Sequence, residues 1–305
     1  MDKTTIIVKI RDWVLAFIES LISLLRVLLL SRFFLENKTQ KQIDQSLVIL
    51  GNGPSLKSFL AEKVTFLVDK KTLAVNYFAR TEEYTQIKPD YYLIISPEYF
   101  RNEQKKEWAD DRKLTLEQIS KKTDWPMTLM LPSLAKNHPY LKEYFINHPH
   151  VSIYFINNAP VDGFKWWREW LFDVNLGLPR PHNVLIPALW FGIKQEFSEI
   201  YLTGADHSWL KDLWVTPQNE VLLSQKHFYD QQAAKEATDK NKPTPQPMFH
   251  GTSTRTRRLH EVLHKFMVSF QSYWVLAEYA ESKRVKIYNL TLDSYIDAFD
   301  KREVN

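Results

Sequence analysis

Short apolar, β-rich runs recur along this chain, and segments of helical periodicity stand between several of them. Ser46–Leu50, Leu73–Asn76, Tyr91–Ile95, Thr128–Leu131 and Val151–Phe155 read as strands. Val184 to Glu196 has helical periodicity and leads straight into Glu199–Thr203. A long helix from about Arg257 to Ser282 then precedes Val285–Asn289, the last expected strand. Strands this short and this apolar are buried on both faces. The pattern therefore predicts an α/β fold with a mostly parallel sheet between two layers of helices. No internal repeat is present. The rhythm fails once, from Asp230 to Thr256, a polar stretch carrying Pro243, Pro245 and Pro247. That stretch reads as a lid or an ornament, and the whole lid region is placed at about 211–256.

The composition removes several function classes. Zero cysteines exclude disulfides, thiolate metal sites and a cysteine nucleophile, and they fit a reducing compartment. The net charge of +4, from 40 Lys+Arg against 36 Asp+Glu, argues against a nucleic-acid binder with a concentrated basic face. Only seven glycines occur in 305 residues, so each is expected where the backbone requires one.

Two of them fall almost together, in Leu50-Gly51-Asn52-Gly53-Pro54-Ser55-Leu56, directly after the first strand. Glycines here allow a tight turn and a close approach to a ligand, and the next helix start offers free N–H groups to a phosphate. The third glycine of a dinucleotide fingerprint is missing, and so is the Gly-Lys-Ser/Thr of a Walker loop. A plain strand-to-helix turn is the alternative. Asn76 ends the second strand, Ser96-Pro97-Glu98 the third, and Thr203-Gly204-Ala205-Asp206 a later one. Polar groups at four strand ends are expected to converge on one crevice at the sheet's carboxyl edge, where open α/β sheets bind ligands.

The first 35 residues differ from the rest. Trp13–Ile18, Leu21–Leu25, Val27–Leu30 and Phe33–Leu35 are apolar, while Asp12, Glu19 and Arg26 recur every seventh residue with Ser23 beside them. On a helix these form one narrow polar stripe, which suits a helix lying in a membrane interface. A single span and packing against the protein's own body or a second subunit are the alternatives. Residues 1–40 are accordingly separated from a catalytic body at 41–305. Trp166, Trp167 and Trp170 sit at helical spacing and read as core or as a homo-oligomer interface.

Among nine histidines, His260-Glu-Val-Leu-His264 matches the letter of a zinc helix, without an obvious third ligand. A solvated role and a non-metal acid/base role are the other readings. As a general base, His260 ranks first because it follows the expected lid at a helix start. His227, in Lys-His-Phe-Tyr, comes second and His250 third.

Taken in order, these motifs resemble the family 42 bacterial sialyltransferases. The likeness runs through Val48-Ile-Leu-Gly-Asn-Gly-Pro-Ser-Leu56, Val75-Asn76-Tyr77-Phe78, Ser96-Pro97-Glu98-Tyr99-Phe100, Glu199-Ile-Tyr-Leu-Thr-Gly-Ala-Asp206 and Val285–Asn289. Arg180-Pro-His-Asn183 stands where that family carries Arg-x-Thr-Ser-Gly. The resemblance implies a single Rossmann-like domain (a GT-A variant) with a lid. It also implies an inverting glycosyltransferase that moves a nonulosonic acid or related sugar from a CMP-sugar to a cell-surface or lipid-linked glycan. The implied donor contacts are Gly51, Asn52, Gly53, Ser55, Asn76, Ser96, Glu98, Asn183, Gly204 and Asp206. No metal or cofactor is implied, because lid hydroxyls such as Tyr229 and Thr252 to Thr256 would carry the leaving phosphate's charge. With the N-terminal helix, the expected location is the cytoplasmic face of a bacterial inner membrane. The same Gly-x-Gly-Pro-Ser-Leu and Thr-Gly-x-Asp elements are similar to 6-hydroxymethylpterin diphosphokinase-like proteins. That alternative implies a pyrophosphokinase using ATP and magnesium held by Asp206 and Glu98. A non-catalytic membrane-bound scaffold is the third reading.

Overall fold

The computed structural model describes residues 3–37, 40–100, 106–224, 245–249 and 255–304. Helix α1 (Lys3–Leu30) comes first, followed by β1 (Ser46–Leu50), α2 (Ser55–Lys63), β2 (Lys71–Val75), α3 (Glu83–Ile87) and β3 (Tyr91–Leu93). Next come α4 (Lys106–Lys122), β4 (Met127–Pro132), α5 (Pro139–Tyr144), β5 (Val151–Ile156), α6 (Lys165–Asp173), α7 (Leu185–Lys194) and β6 (Glu199–Thr203). The short strands β7 (Leu213–Val215), β8 (Val221–Leu223) and β9 (Gln246–Pro247) precede the long helix α8 (Leu259–Lys283). Strands β10 (Lys286–Asn289) and β11 (Asp300–Lys301) end the fold.

Eight strands form one sheet in the order β11-β10-β6-β1-β2-β3-β4-β5, and every neighbouring pair is parallel. Alternation along each strand builds two cores. Leu47, Ile49, Leu73, Val75, Ile200 and Leu202 face α6, α7 and α8. Val48, Leu50, Ala74, Tyr92, Leu129 and Tyr201 face α2 through α5. Helix α7 is apolar along its whole length and is buried from Leu185 to Ile193, so it fills the centre of its layer. From β1 the chain moves outward through β2, β3, β4 and β5, then returns to place β6 on the other side of β1. The strand order therefore reverses between β1 and β6, at the topological switch point of a doubly wound sheet.

The structure departs from the sequence expectations in four places. Strand β11 extends the sheet past the expected last strand. Within the expected lid, β7, β8 and β9 pair antiparallel, and Val221 and Leu223 pack on Val262 and Phe266 of α8. Residues 225–244 and 250–254 of that lid, with His227, Tyr229, His250 and Thr252, lie outside the described residues. Trp166 and Trp170 are exposed, at 69% and 49%, and so are not core; Trp167 alone of the three packs against the buried cluster.

The fourth concerns α1. Part of its polar stripe is a seam against the body of the protein. Ser23 is fully buried, its hydroxyl donating to Asp162 O at 3.0 Å and accepting the Asp162 N–H at 2.8 Å. Ser20 Oγ accepts the Phe164 N–H, Arg26 donates to Pro160 O, and Val27 enters the core. Gly163 fits beneath Ser20 at φ +106°, a backbone region closed to residues with a Cβ. Asp12 and Glu19 remain exposed, as do most of the apolar residues around the rest of the helix. Beyond α1, Asn37 pairs its carboxamide with both backbone groups of Phe155 and so covers part of the sheet edge at β5. The helix from Thr5 to Leu30 is long and apolar enough to cross a membrane.

Candidate active site

At the carboxyl edge, the loop after β1 and the loop after β6 cross in close contact. Gly51 donates its N–H to Thr203 O at 2.8 Å, and Gly53 donates to Gly204 O at 2.7 Å. A Cβ on Gly51 would stand 2.5 Å from Gly204 O, and Gly204 itself has φ +62°. The three glycines thus let two backbones touch. The β6 loop is then tied down from its far side. Thr291 Oγ1 accepts the Ala205 N–H, Ser294 Oγ donates to Ala205 O, and Tyr295 donates its N–H to Asp206 O.

Asp206 uses its carboxylate inside this crossing. Its Oδ2 accepts the Ser55 hydroxyl at 2.8 Å and the Ser55 N–H at 3.3 Å, at the first turn of α2. A side chain on Gly53 would run into that carboxylate. The start of α2 is therefore already supplied with an anion by the protein. This revises the picture of an open phosphate cradle, because anions at helix N-termini are stabilised by the same N–H groups and dipole.

Beside the crossing lies a cavity of about 450 Å³, within the usual size of small-molecule pockets. Asn52, Gly53, Asn76, Asn183, Gly204 and Asp206, all expected from the sequence, line it. Gly51 is buried behind the wall, and Ser55 lies in a separate cleft with Thr291 and Leu292. Ser96 is absent from the wall, and the Glu98 side chain lies outside the described residues. His260 is exposed on the first turn of α8 and is likewise absent from the wall. Three of the four expected strand ends therefore meet, those after β1, β2 and β6.

The wall also holds residues that the sequence reading did not select as site residues. His182, His207, Trp209, Lys211, Lys265 and Ser269 all face the cavity. His182 stands at its exposed rim. Desolvation, followed by the nearby Lys265 and Arg180 charges, holds its imidazole below the usual histidine range. His207 is buried against Trp209, with ring centroids 4.1 Å apart, and burial pushes it down to about 3. Its backbone is left-handed at φ +47°, a strained conformation for a non-glycine residue. Both histidines had an audible signal. His182 adjoins Asn183, and His207 follows Asp206 directly.

Two buried polar atoms in this wall have no protein partner, Asn52 Oδ1 and Asn183 Nδ2. Buried polar groups are normally paired, so unpaired ones on residues that line a cavity mark places where a ligand can complete the bonding. One accepts and one donates. Together with the Lys211 and Lys265 ammonium groups and the Trp209 ring, they give the cavity the means to hold a polar, anionic ligand carrying a flat or sugar-like group. Among the described residues, no three His, Asp or Glu side chains come together as metal ligands.

The fold and this crevice define an α/β protein with a mostly parallel sheet and a ligand cavity at its switch point. No protein-family model matches the chain, and no curated protein matches it in sequence. The structure of MAf glycosyltransferase from Magnetospirillum magneticum AMB-1 is similar over 88% of this chain, with a TM-score of 0.44 and 10% identity. The likeness takes up 35% of that longer chain. A similarity of that size assigns neither substrate nor chemistry.

Proposed function

We propose that the protein is a membrane-associated glycosyltransferase that moves a sugar from a nucleotide-activated donor to a glycan acceptor. The observation that carries this reading is the pair of unsatisfied carboxamide atoms, Asn52 Oδ1 and Asn183 Nδ2, in a switch-point cavity. A nucleotide offers a donor and an acceptor edge to meet them, and a phosphate to meet Lys211 and Lys265. The sequence resemblance selects a CMP-activated nonulosonic acid or related sugar as the donor. Transfer is a single displacement with inversion. The acceptor oxygen loses its proton, attacks the anomeric carbon, and CMP departs with the bonding electrons on its phosphate.

The base in this reading is His182. Its imidazole stands at the cavity rim and favours the neutral form that accepts a proton. His207 is enclosed, and His260 lies outside the wall. Lys211 and Lys265 offset charge on the departing phosphate. The exposed apolar surface of α1 supports a membrane partner and a lipid-linked acceptor, at the cytoplasmic face of a bacterial inner membrane.

The test is nucleotide release by the full chain in detergent, measured with CMP-, UDP- and GDP-sugars, together with thermal midpoints in CMP and in ATP with magnesium. CMP stabilisation and CMP release from one donor are expected. Stabilisation by ATP–magnesium alone would replace this reading with the pyrophosphokinase one. No response to any nucleotide would leave a scaffold.

A further inference from the structure

A hydrogen-bonded chain runs from the cavity wall into the core, and two of its members, His207 and Tyr273, have no part in the proposed chemistry. His207 Nε2 is 2.7 Å from the Tyr273 hydroxyl oxygen, and both residues are buried. The Tyr273 hydroxyl donates to Asn183 Oδ1 at 3.0 Å, and the same Oδ1 accepts the Leu185 N–H at 3.0 Å. Three elements are thus joined: the β6 loop, α8 and the start of α7.

Proton counting fixes the direction of the chain. A tyrosine hydroxyl has one hydrogen, and Asn183 Oδ1 has none to give. Both contacts are therefore hydrogen bonds only when His207 Nε2 supplies a hydrogen. Burial disfavours the imidazolium, which leaves the neutral Nε2–H tautomer as the form that completes the chain. With two donors on its oxygen, the Asn183 amide has one orientation, and Nδ2 is left buried without a protein partner.

We propose that His207 and Tyr273 are positioning residues that preset Asn183 Nδ2 as a hydrogen-bond donor to an anionic oxygen of the ligand, a phosphate or a carboxylate. Donation into the amide oxygen polarises the amide and strengthens its N–H as a donor, and each bond in the chain reinforces the next. A fixed donor also costs no reorientation when the ligand arrives. This inference rests on the reading of the cavity as a donor site, but its first element can be tested without any ligand.

Histidine ¹⁵N spectra of the unliganded full chain in detergent at neutral pH should show His207 neutral with its proton on Nε2. Tyr273→Phe should perturb that ring while the protein stays folded. An Nδ1–H tautomer or an imidazolium would overturn the proposal. In CMP titrations, Asn183→Ala should weaken binding roughly 10- to 100-fold, the scale of one charge-assisted hydrogen bond, and Tyr273→Phe by several-fold. On the Asn183→Ala background, Tyr273→Phe should add nothing, because its effect passes through Asn183. His207→Gln, which returns an N–H to Tyr273, should bind CMP more tightly than His207→Leu. Unchanged affinity in Tyr273→Phe, or penalties that simply add, would sink the chain. Wild-type protein that binds no CMP, UDP or GDP defeats the donor reading, and the tautomer then decides the chain alone.

Discussion

Asp206 separates a structural role from a ligand role more cleanly than any other residue at this edge. Its carboxylate holds both the hydroxyl and the N–H of Ser55, at 2.8 and 3.3 Å, on the first turn of α2. Asp206→Ala removes one short bond and one long bond to a charged acceptor. It also removes a negative charge from a helix N-terminus. Hydrogen bonds to charged groups contribute about 1.5–3 kcal/mol, and a charge at a helix end about 0.3–1 kcal/mol. Asp206 is partly open to solvent, which favours the low end, so the expected loss is about 2–3 kcal/mol. For a body of this size that lowers the thermal midpoint by roughly 4–5 °C. Asp206→Asn keeps an accepting oxygen and loses only the charge, so it should fall by about a third as much.

The assay is paired thermal unfolding and CMP titration of wild type, Asp206→Asn and Asp206→Ala. Hydrogen exchange of the α2 amides should accelerate with the loss of the cap. A wild-type midpoint in Asp206→Ala combined with abolished nucleotide binding would refute the reasoning, because the carboxylate would then be holding ligand. Magnesium that stabilised wild type but not Asp206→Asn would refute it differently, by making Asp206 a metal ligand.

Asn52→Ala should leave the midpoint unchanged or slightly raised, since Asn52 Oδ1 has no protein partner, and should weaken nucleotide binding at least 10-fold in the same titration. His182→Ala should lower kcat by roughly 10²–10⁴-fold with donor affinity little changed, and near-normal turnover would remove it from the mechanism. His207 binds fewer protons folded than unfolded between about 3 and its ordinary value near 6.5. Stability should therefore fall as pH drops through that window, by up to about 1.4 kcal/mol per unit, and His207→Gln should flatten the slope seen in thermal midpoints against pH. Ser23→Leu should strand the part-buried Asp162 N–H at a cost of about 1 kcal/mol and speed tryptic cleavage at Arg32 and Lys41; unchanged proteolysis would mean that α1 is not docked.

The sheet was the most legible part of the fold. Ser46–Leu50 and Glu199–Thr203 agree with the sequence reading residue for residue, because each is a continuous apolar run closed by a glycine loop. Strand β11 is two residues long and carries no periodicity to detect. Strands β7 and β8 are three residues each, too short to show a period, and they precede the polar stretch that marked the lid. Exposed Trp166 and Trp170 show that helical spacing of aromatics reports a shared face, not its burial. In the site, Asn52, Asn76 and Asp206 were legible because strand ends converge by topology. Lys265 and Ser269 were not, since they reach the wall from α8, and no local pattern says which turn of a long helix passes a cavity. In α1 the charged residues drew attention to the stripe, while the small hydroxyls Ser20 and Ser23 make its closest contacts.

That seam gives α1 a polarity opposite to that of an ordinary surface helix, which buries its apolar stripe and shows water its polar one. Here Ser20, Ser23 and Arg26 bind the body, and apolar side chains such as Ile7, Ile10, Leu15, Leu25 and Leu29 stay uncovered on the remaining surface. A second copy of the helix would cover one narrow seam of that surface, whereas lipid covers it from all sides. The seam also reaches the cavity through a single carboxylate. Asp162 Oδ2 accepts Arg26 at 3.4 Å from α1 and Arg180 at 3.0 Å from the loop that continues into His182 and Asn183. Ser272 of α8 shares its hydroxyl between Val268 O at 2.9 Å and the Arg180 carbonyl at 3.3 Å. The segment with the lipid-compatible surface and the wall with the unpaired amide therefore share one ion-pair junction. In the proposed reading, that junction lets an acceptor anchored in a bilayer meet a cavity whose orientation to the same bilayer is fixed.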